Sequence, residues 1–409
     1  MRTRVLAIQY VKSIPRWLLL KTLGRTFTSL ATSPLGVMQQ REVPEPRLPN
    51  LHWVRIRPIL SGICGSDLAS ITAEGSPFFA PLTSFPFTFG HEVVGRVEEV
   101  GSEVQGVRVG ERVVIEPALH CGVRGIDPPC TPCQEGLYGN CVNVTAGDIS
   151  PGIQTGYCRD TGGGWSTSLV AHQVQLHRVP ETLTDEEAVL AEPFACALHA
   201  ALAPPALEGN VLVLGCGTMG LLTIAALKAT RPGVSVVAVA KHSHQQKLAS
   251  ELGADVIVPA GRNALKELCR ISGASQHQAE IGPPTILGGF PAVFDCVGSP
   301  RSLDESLRLT RSQGHTMLVG MPAIPRTVDW TTIWYKELHV RGAYAYGQEN
   351  LPGGRERTFG LALRLMEQRR VNLGRLVTHR FPLAEYRQAV RTALLTGPFG
   401  SVKTVFSVS

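Results

Sequence analysis

Apolar and polar residues follow different periods in the first and second halves of the chain. In the first half, short apolar or alternating runs stand close to glycine turns, at residues 4–11, 53–60, 93–101 and 168–179. Such runs are typical of β-strands, and residues 93–101 are predicted to form a pair of strands. From residue 210 onward, short apolar runs alternate with helix formers, at residues 211–214, 218–229, 234–240, 244–252, 292–297 and 302–311. This rhythm predicts an α/β fold, a doubly wound parallel sheet accompanied by a mostly β domain.

The same pattern predicts the extent of the two domains. A chain of 409 residues suits two domains better than one. We expect the mostly β domain over residues 1–193, completed by residues 345–409, and the sheet domain over residues 194–344. Residues 13–50 and 271–290 show neither period and are predicted to be irregular.

A glycine motif follows the first strand of the second half. The pattern G-x-G-x-x-G stands between the apolar run 211–214 and the helical stretch 218–229. The first glycine allows the turn, the second lets backbone approach a pyrophosphate, and the third lets helix and strand pack closely. Unpaired N–H groups at the helix N-terminus then face the anion. We therefore predict a bound dinucleotide that contacts Gly215, Gly217, Thr218, Met219 and Gly220.

The end of the next strand indicates which dinucleotide is bound. About 20 residues after the glycines, an NAD enzyme normally has an acidic residue that bonds the ribose 2′-hydroxyl. Residues 237–244 contain no Asp or Glu, whereas Lys241 and His242 would suit a 2′-phosphate. We therefore expect NADP rather than NAD. The alternative is a solvated lysine in an NAD enzyme that uses other contacts.

Composition excludes several classes of function. The net charge is +6 with scattered lysines and arginines, so no nucleic-acid partner is expected. No run reaches about 18 apolar residues, so no membrane span and no membrane partner are expected. The nearest candidate, residues 17–30, is interrupted by Lys21, Gly24 and Arg25. No clear signal peptide is present, and four of ten cysteines have metal-ligand spacing, which favours a cytoplasmic, reducing location.

Three motifs in series carry a family resemblance. Residues 62–67 read Gly-Ile-Cys-Gly-Ser-Asp, residues 90–95 read Gly-His-Glu-Val-Val-Gly, and residues 215–220 read Gly-Cys-Gly-Thr-Met-Gly. In this order and at these separations they resemble the zinc-containing medium-chain alcohol dehydrogenases. Residues 192–195 and 378–383 resemble the polyol and threonine dehydrogenase branch. The resemblance covers nearly the whole chain and implies a GroES-like catalytic domain, a Rossmann domain and a zinc-dependent, NAD(P)-dependent alcohol dehydrogenase.

The resemblance implies a catalytic zinc site. Cys64 and His91 match two zinc ligands. The third ligand is a cysteine in many members and a glutamate in the polyol branch, where this chain has Glu192. Glu92 is the other carboxylate, which in parts of the family ligates zinc or exchanges with water. We expect both glutamates in or next to the metal shell, since zinc accepts thiolate, imidazole and carboxylate ligands and a catalytic site leaves one position open.

The resemblance also implies catalytic roles beside the metal. Ser66 matches the hydroxyl that bonds the substrate oxygen and removes its proton, and Asp67 is expected to accept the other N–H of a zinc-binding histidine. With Cys64 and His91 they form the expected catalytic set. Some members carry a relay histidine five residues after the first cysteine, where this chain has Ala69, so the path of the proton to solvent is left open.

A second group of cysteines has the spacing of a structural zinc site. The group consists of Cys121, Cys130, Cys133 and Cys141. Its last three members match the family's structural zinc lobe, but Asp127 stands where the family has its first cysteine. We expect Cys121 to complete a closed tetrahedral site, because thiolate is the better structural ligand for zinc. Ligation by Asp127 and a metal-free lobe are the alternatives.

The substrate is less well defined than the cofactor. We expect a small molecule: a secondary alcohol, a polyol or sugar alcohol, an amino alcohol, or the matching ketone. Residues 75–89 and 145–165 are expected to line its pocket, with Trp165 as one wall. The family implies a homodimer or homotetramer. The alternatives are a zinc-free quinone or enoyl reductase of the same superfamily and a catalytically silent NADP-binding protein.

Overall fold

The chain is organised as two compact units. The structure, a computed structural model, describes residues 3–24 and 27–408. One unit comprises Met1–Glu192, Tyr346–Glu367 and Leu373–Ser409, and the other comprises Pro193–Ala345 and Gln368–Asn372. The first unit is rich in strands, and the second alternates strands with helices.

Strands dominate the chain up to residue 190. They are β1 (Arg4–Tyr10), β2 (Met38–Pro44), β3 (Trp53–Gly62), β4 (Phe87–Thr88), β5 (Val93–Val100), β6 (Arg112–Ile115), β7 (Leu169–His172) and β8 (Leu176–Arg178). The α-helices of this part are α1 (Ile14–Leu23), α2 (Gly65–Ile71), α3 (Thr131–Gln134) and α4 (Asp185–Ala188).

Strands and helices alternate from residue 191 to residue 345. The helices are α5 (Ala191–Leu202), α6 (Thr218–Thr230), α7 (Ser243–Glu251), α8 (Ala264–Ser272), α9 (Pro300–Leu309) and α10 (Thr331–Tyr335). The strands are β9 (Gly209–Leu214), β10 (Val234–Ala240), β11 (Val256–Pro259), β12 (Ser275–His277), β13 (Thr285–Leu287), β14 (Phe290–Asp295), β15 (Thr310–Leu318) and β16 (His339–Gly342). Then follow β17 (Gln348–Leu351), β18 (Gly354–Arg357), α11 (Thr358–Glu367), β19 (Val377–Pro382), α12 (Tyr386–Leu394), α13 (Thr396–Phe399) and β20 (Lys403–Ser407).

A seven-stranded sheet is the frame of the first unit. Its order is β19-β20-β3-β5-β6-β8, and β7 also pairs with β3. One face of β3 and β5 buries Val54, Ile56, Val93 and Val97 in an aliphatic core, as expected for strands with one apolar face. The late strand β20 runs antiparallel to the end of β3. This pairing brings the last described residues of the chain beside the first candidate ligand loop.

The second unit contains a six-stranded parallel sheet. Its order is β11-β10-β9-β14-β15-β16, and each neighbouring pair is parallel. Numbered within this sheet, the order is 3-2-1-4-5-6, which is the doubly wound arrangement of dinucleotide-binding folds. The predicted α/β fold class is therefore confirmed. Within residues 3–24 and 27–408, no helix combines the length and the apolar character that crossing a membrane requires.

Three local predictions were wrong. Residues 13–50 were expected to be irregular, but they contain α1 and β2. Ser13 in extended conformation and a proline in the first turn are helix start signals, and the leucine-rich run after them continues the helix. Residues 271–290 contain a small antiparallel hairpin, β12–β13. Residues 93–101 form the one strand β5 rather than a strand pair.

Candidate active site and metal centres

The first candidate ligand stands where β3 gives way to α2. Cys64 is the N-cap of α2 and has extended backbone angles. Asp67, three residues later, accepts a hydrogen bond of 2.9 Å from the backbone N–H of Cys64. This reciprocal cap fixes the helix start. Cys64 and Asp67 are thereby held in one rigid turn.

Asp67 also faces the second candidate ligand. Its side chain is fully buried, and Oδ1 lies 3.6 Å from Nδ1 of His91. Burial alone would lower the pKa of His91, but Asp67 and Cys64 outweigh burial and raise that pKa well above its ordinary value. Because Nδ1 faces the carboxylate, Nε2 is the nitrogen left for a metal.

Cys64, His91 and Glu92 form a compact donor cluster. One potential ligand atom of each residue lies within 4.8 Å of the others. Thiolate, imidazole and carboxylate are the donors that zinc takes, and three protein ligands leave a fourth position for substrate or water. The donor set therefore fits a catalytic zinc ion. Glu192, the other predicted carboxylate, is buried but is not a member of this cluster of described residues.

A buried lysine accompanies Glu92. Lys403, at the start of β20, donates to Glu92 Oε1 at 2.5 Å and to the carbonyl oxygen of Ile63 at 3.1 Å. Burial alone would lower the pKa of Lys403, but Glu92, Cys64 and Glu192 raise it. Glu192 is therefore near enough to Lys403 for its charge to raise the pKa of that lysine. Gly62 makes room for the pair, since a Cβ there would lie 1.8 Å from Glu92 Oε2.

Ser66 lies in the first turn of α2 with its hydroxyl unused. Its Oγ is buried and has no hydrogen-bond partner in the described part of the chain. The hydroxyl of Tyr157 is nearby: it lies 3.2 Å from Ser70 Oγ, and Ser66 also acts on its pKa. Burial raises the pKa of Tyr157 above its ordinary value, so this phenol stays protonated. The three side chains therefore lie together, and the ring centroid of Tyr157 is 6.2 Å from that of His91.

The expected pocket wall is a core residue. Trp165 is fully buried, its ring packs against Phe89 and Phe406, and its Nε1 donates to the carbonyl oxygen of Gly62 at 3.0 Å. It supports the strand that leads to Cys64. The expectation that Trp165 lines a substrate pocket was therefore wrong.

Sequence reasoning missed Lys403 and Tyr157. Lys403 stands between Val402 and the apolar pair Val405 and Phe406, which was a usable signal of a strand, and a buried lysine requires a partner. Tyr157 follows a glycine in a loop and gave no comparable signal. Both contacts join segments that are far apart in the chain, 311 residues for Lys403 and Glu92 and 87 for Tyr157 and Ser70.

The structure brings the four cysteines of the second group together. One sulfur of each lies within 4.8 Å of the others, and the Sγ of Cys141 lies 3.6 Å from Cys121 and 3.9 Å from Cys130. A tetrahedral zinc with bonds of about 2.3 Å separates its sulfurs by about 3.8 Å. The spacing therefore fits zinc, and all four thiols are free of disulfides. The cluster includes Cys121 and not Asp127.

The glycine turn has the geometry that its motif requires. Gly215 has φ +87°, which favours glycine, and it follows directly on β9. Gly217 is the N-cap of α6, and a Cβ added to it would meet no described atom within 4 Å, so its backbone is open to a ligand. A Cβ on Gly220 would lie 1.8 Å from the carbonyl oxygen of Gly215. Only glycine permits this contact between strand and helix.

The residues expected at the ribose lie on the same edge of the sheet. Lys241 follows β10, whose end pairs in parallel with the end of β9. The lysine is exposed, and His242 is the N-cap of α7. The rings of His242 and His244 stack at 5.5 Å. A cationic and imidazole-rich surface therefore adjoins the carboxyl edge that carries the glycine turn.

Comparisons with known proteins agree with this architecture. Residues 50–181 match the alcohol dehydrogenase GroES-like domain, and residues 218–359 match the zinc-binding dehydrogenase family. The chain is 31% identical over 362 residues to sorbitol dehydrogenase of Arabidopsis thaliana, and the aligned region covers 87% of this chain and 89% of that protein. It is 28% identical over 366 residues to L-idonate 5-dehydrogenase of Vitis vinifera, at 88% and 90% coverage.

A solved structure shows the same fold. The zinc-binding dehydrogenase of Sinorhizobium meliloti 1021, described with bound NADP, superposes with a TM-score of 0.72 at 23% identity and full coverage of both chains. The resemblance inferred from the three motifs is confirmed by the family matches and the relatives. The chain therefore belongs to the zinc-containing medium-chain alcohol dehydrogenases, in the branch that includes sorbitol and idonate dehydrogenases, and is an NAD(P)-dependent alcohol dehydrogenase.

Proposed function

We propose that this enzyme oxidises a secondary alcohol, in the class of polyols, sugar alcohols and amino alcohols, with NADP as hydride acceptor. The reverse reaction reduces the matching ketone. The observation that carries the proposal is the donor cluster of Cys64, His91 and Glu92 beside the unpartnered hydroxyl of Ser66. The name of the sorbitol dehydrogenase supports the polyol side of this class.

Cys64, His91 and Glu92 are proposed to hold the catalytic zinc, with Glu192 next to the metal shell. When bound, zinc supplies a positive charge that polarises the substrate oxygen and lowers its pKa. Lys403 balances the buried carboxylate of Glu92. The second zinc is proposed to be held by Cys121, Cys130, Cys133 and Cys141, with a structural role.

The chain's own residues handle orientation and the proton. Asp67 fixes the ring of His91 and the turn that carries Cys64. Ser66 Oγ hydrogen-bonds the substrate hydroxyl and takes its proton while passing its own proton along the neighbouring hydroxyls towards water. When bound, the nicotinamide would serve as the acceptor of the hydride from the carbinol carbon. Tyr157 and Ser70 extend the row of hydroxyls where some relatives of the family use a histidine and this chain has Ala69.

The first unit is proposed to be the catalytic domain and the second the dinucleotide domain. The cofactor is proposed to contact Gly215, Gly217, Thr218, Met219, Gly220, Lys241 and His242. Preference for NADP rests on Lys241, on His242 and on the lack of an acidic residue in the segment 237–244. A homodimer or homotetramer remains what the family resemblance implies, and a cytoplasmic location remains the prediction from sequence.

Metal analysis of Cys64→Ser tests the proposal most directly. We expect about two zinc ions per wild-type chain and about one in the variant. Turnover should fall by about a thousandfold or more, while the affinity for NADPH, measured by fluorescence titration, stays unchanged. Cys196→Ser is the matched control, since Cys196 lies outside both clusters. A wild-type protein without zinc, or full activity in Cys64→Ser, would favour the zinc-free reductase or the silent binding protein.

Cofactor choice is tested separately by kcat/KM with NADP and with NAD. We expect a preference for NADP, which Lys241→Ala reduces by about tenfold because one charge-assisted contact with the 2′-phosphate is lost. Lys247→Ala, at an exposed lysine on the neighbouring helix α7, is the control. A preference for NAD in the wild type would exclude the proposed role of Lys241.

A further inference from the structure

Exposed apolar side chains occur on α1, in the first unit. One side of this helix packs on the core through Leu20, which is 1% exposed, and through the half-buried ring of Trp17. Ile14 and Leu18 are 67% and 50% exposed. They are four residues apart and therefore share one face of the helix. This face is apolar and exposed in the structure.

The same part of the chain carries a concentrated positive charge. The first 41 residues contain seven lysines and arginines and no acidic residue, whereas the rest of the chain contains 32 basic and 33 acidic residues. The net charge of +6 therefore has its source in this segment. In a folded protein, such a local excess attracts anionic surfaces.

Among the described residues around α1, the three cations Lys12, Arg16 and Lys21 contact groups other than carboxylates. Lys21 donates to the carbonyl oxygen of Ala73 at 3.0 Å, and Arg16 donates to that of Gly36 at 2.8 Å. The ammonium of Lys12 lies 5.2 Å from the ring centroid of Phe85. For these three cations, the described residues supply carbonyl and ring partners rather than ion pairs. Their full charge is therefore available at the surface.

Two of these contacts connect α1 to a second exposed apolar segment. Lys21 of α1 donates to Ala73, and Lys12, two residues before α1, lies over Phe85, so the chain from residue 73 to residue 85 has one end beside α1 and the other beside the residues that precede it. Between them, Phe78 and Phe79 are 71% and 40% exposed. Ile14 and Leu18, together with Lys12 and Lys21, are called the α1 surface below.

We propose that the α1 surface docks on an anionic lipid bilayer, with α1 lying in the membrane interface. Apolar side chains flanked by lysine and arginine are the composition of interfacial helices, and each basic residue near an anionic leaflet strengthens binding. No membrane partner was expected because the chain has no apolar run long enough to span a bilayer. Binding at the membrane surface requires no such run, and the basic residues that interrupt the apolar run are suited to anionic lipid headgroups. A second copy of the chain is a poorer occupant, because a two-fold interface would bring like charges together.

Vesicle binding by the full-length protein tests this surface. Co-sedimentation compares vesicles of phosphatidylcholine alone with vesicles that also contain phosphatidylserine. We expect binding to the phosphatidylserine vesicles that weakens with added salt. Ile14→Gln with Leu18→Gln should reduce the partition coefficient by about tenfold through lost apolar burial. Lys12→Gln with Lys21→Gln should reduce it by a similar factor, on the anionic vesicles only.

Matched controls place substitutions of the same kind elsewhere on the surface. Val109→Gln changes a valine that is 60% exposed, and Lys247→Gln changes an exposed lysine; neither should alter vesicle binding. Circular dichroism should be unchanged in every variant, since the substituted side chains are exposed. Equal binding to both vesicle types, or full binding by the Ile14 and Leu18 variant, would overturn the proposal. The proposal would also be overturned if the wild-type protein were a dimer that bound no vesicles and the Ile14 and Leu18 variant were a monomer.

Discussion

The two cysteine sites of the first unit differ in what surrounds their sulfurs. Next to Cys64 stand the charged groups Asp67, Glu92 and Lys403, and the donor cluster has three members. Next to Cys121 stand three other thiols and the apolar side chains of Leu82, Ile126, Val144 and Ile153. Four ligands close a metal site, whereas three ligands with a polar surrounding leave it open for chemistry. This difference supports the proposal of a catalytic zinc at the first site and a structural zinc at the second.

The histidines next to the two sites repeat this difference. Burial alone would lower the pKa of His91, but the neighbouring Asp67 and Cys64 raise it. His120, which precedes Cys121, is lowered in pKa to about 4, first by burial and then by Arg357. Its ring packs at 4.5 Å on Tyr138. The first site therefore favours charge, and the surroundings of the second favour a neutral side chain.

The largest effect on stability is expected at the closed site. Structural zinc supplies about 10–16 kcal/mol in small zinc domains, and part of that free energy should be lost in Cys121→Ser. We expect a lower melting temperature by calorimetry and the loss of one zinc per chain. Cys158→Ser, at a buried cysteine outside the cluster, should keep its metal. An unchanged metal content in Cys121→Ser would instead support Asp127 as the ligand.

The next effect is expected at the open site. Lys403→Met leaves Glu92 buried without its cation, which costs about 3–5 kcal/mol of the free energy of unfolding. If Glu92 is a ligand, zinc replaces the missing charge, so denaturant unfolding should show a smaller loss with zinc than after chelation. Lys228→Met breaks the surface pair with Asp255 and should cost less than about 1 kcal/mol. An equal loss with and without zinc would remove Glu92 from the ligand set.

The smallest effect is a dependence of stability on pH. The pKa of His120 is about 4 in the folded protein, below its ordinary value, so the unfolded chain binds the proton first as the pH falls. Stability is therefore lost progressively between about pH 6.5 and pH 4, by about 2 kcal/mol from pH 7 to pH 5. The slope of unfolding free energy against pH should be shallower in His120→Gln. The same slope in wild type and variant would mean that His120 is solvated.

The sequence was sufficient where the determining residues are close together in the chain. The glycine turn at Gly215, the cap formed by Cys64 and Asp67, and the spacing of Cys130 and Cys133 each lie within one short segment. The strand–helix rhythm likewise determined the sheet of the second unit. In these cases the residues that determine the local conformation also carry the chemistry, so one short segment predicts both.

The sequence was insufficient where distant segments decide a residue's surroundings. Lys403 reaches Glu92 only because β20 pairs with β3, and Trp165 is core because β1 and its neighbours cover it. No local period contains these pairings. The choice between Glu92 and Glu192 as nearest carboxylate depended on the same long-range contacts, which is why both were left open.

The place of Lys403 in the chain has a consequence for synthesis. Glu92 and its cation are 311 residues apart, and a ribosome adds about 5–20 residues per second. Glu92 is therefore translated about 15–60 s before the lysine that neutralises it exists. Residues 193–345, which form most of the second unit, are made in that interval and can fold first. During this delay the nascent first unit lacks β20, so Glu92 cannot be buried together with its cation until the end of the chain has been made.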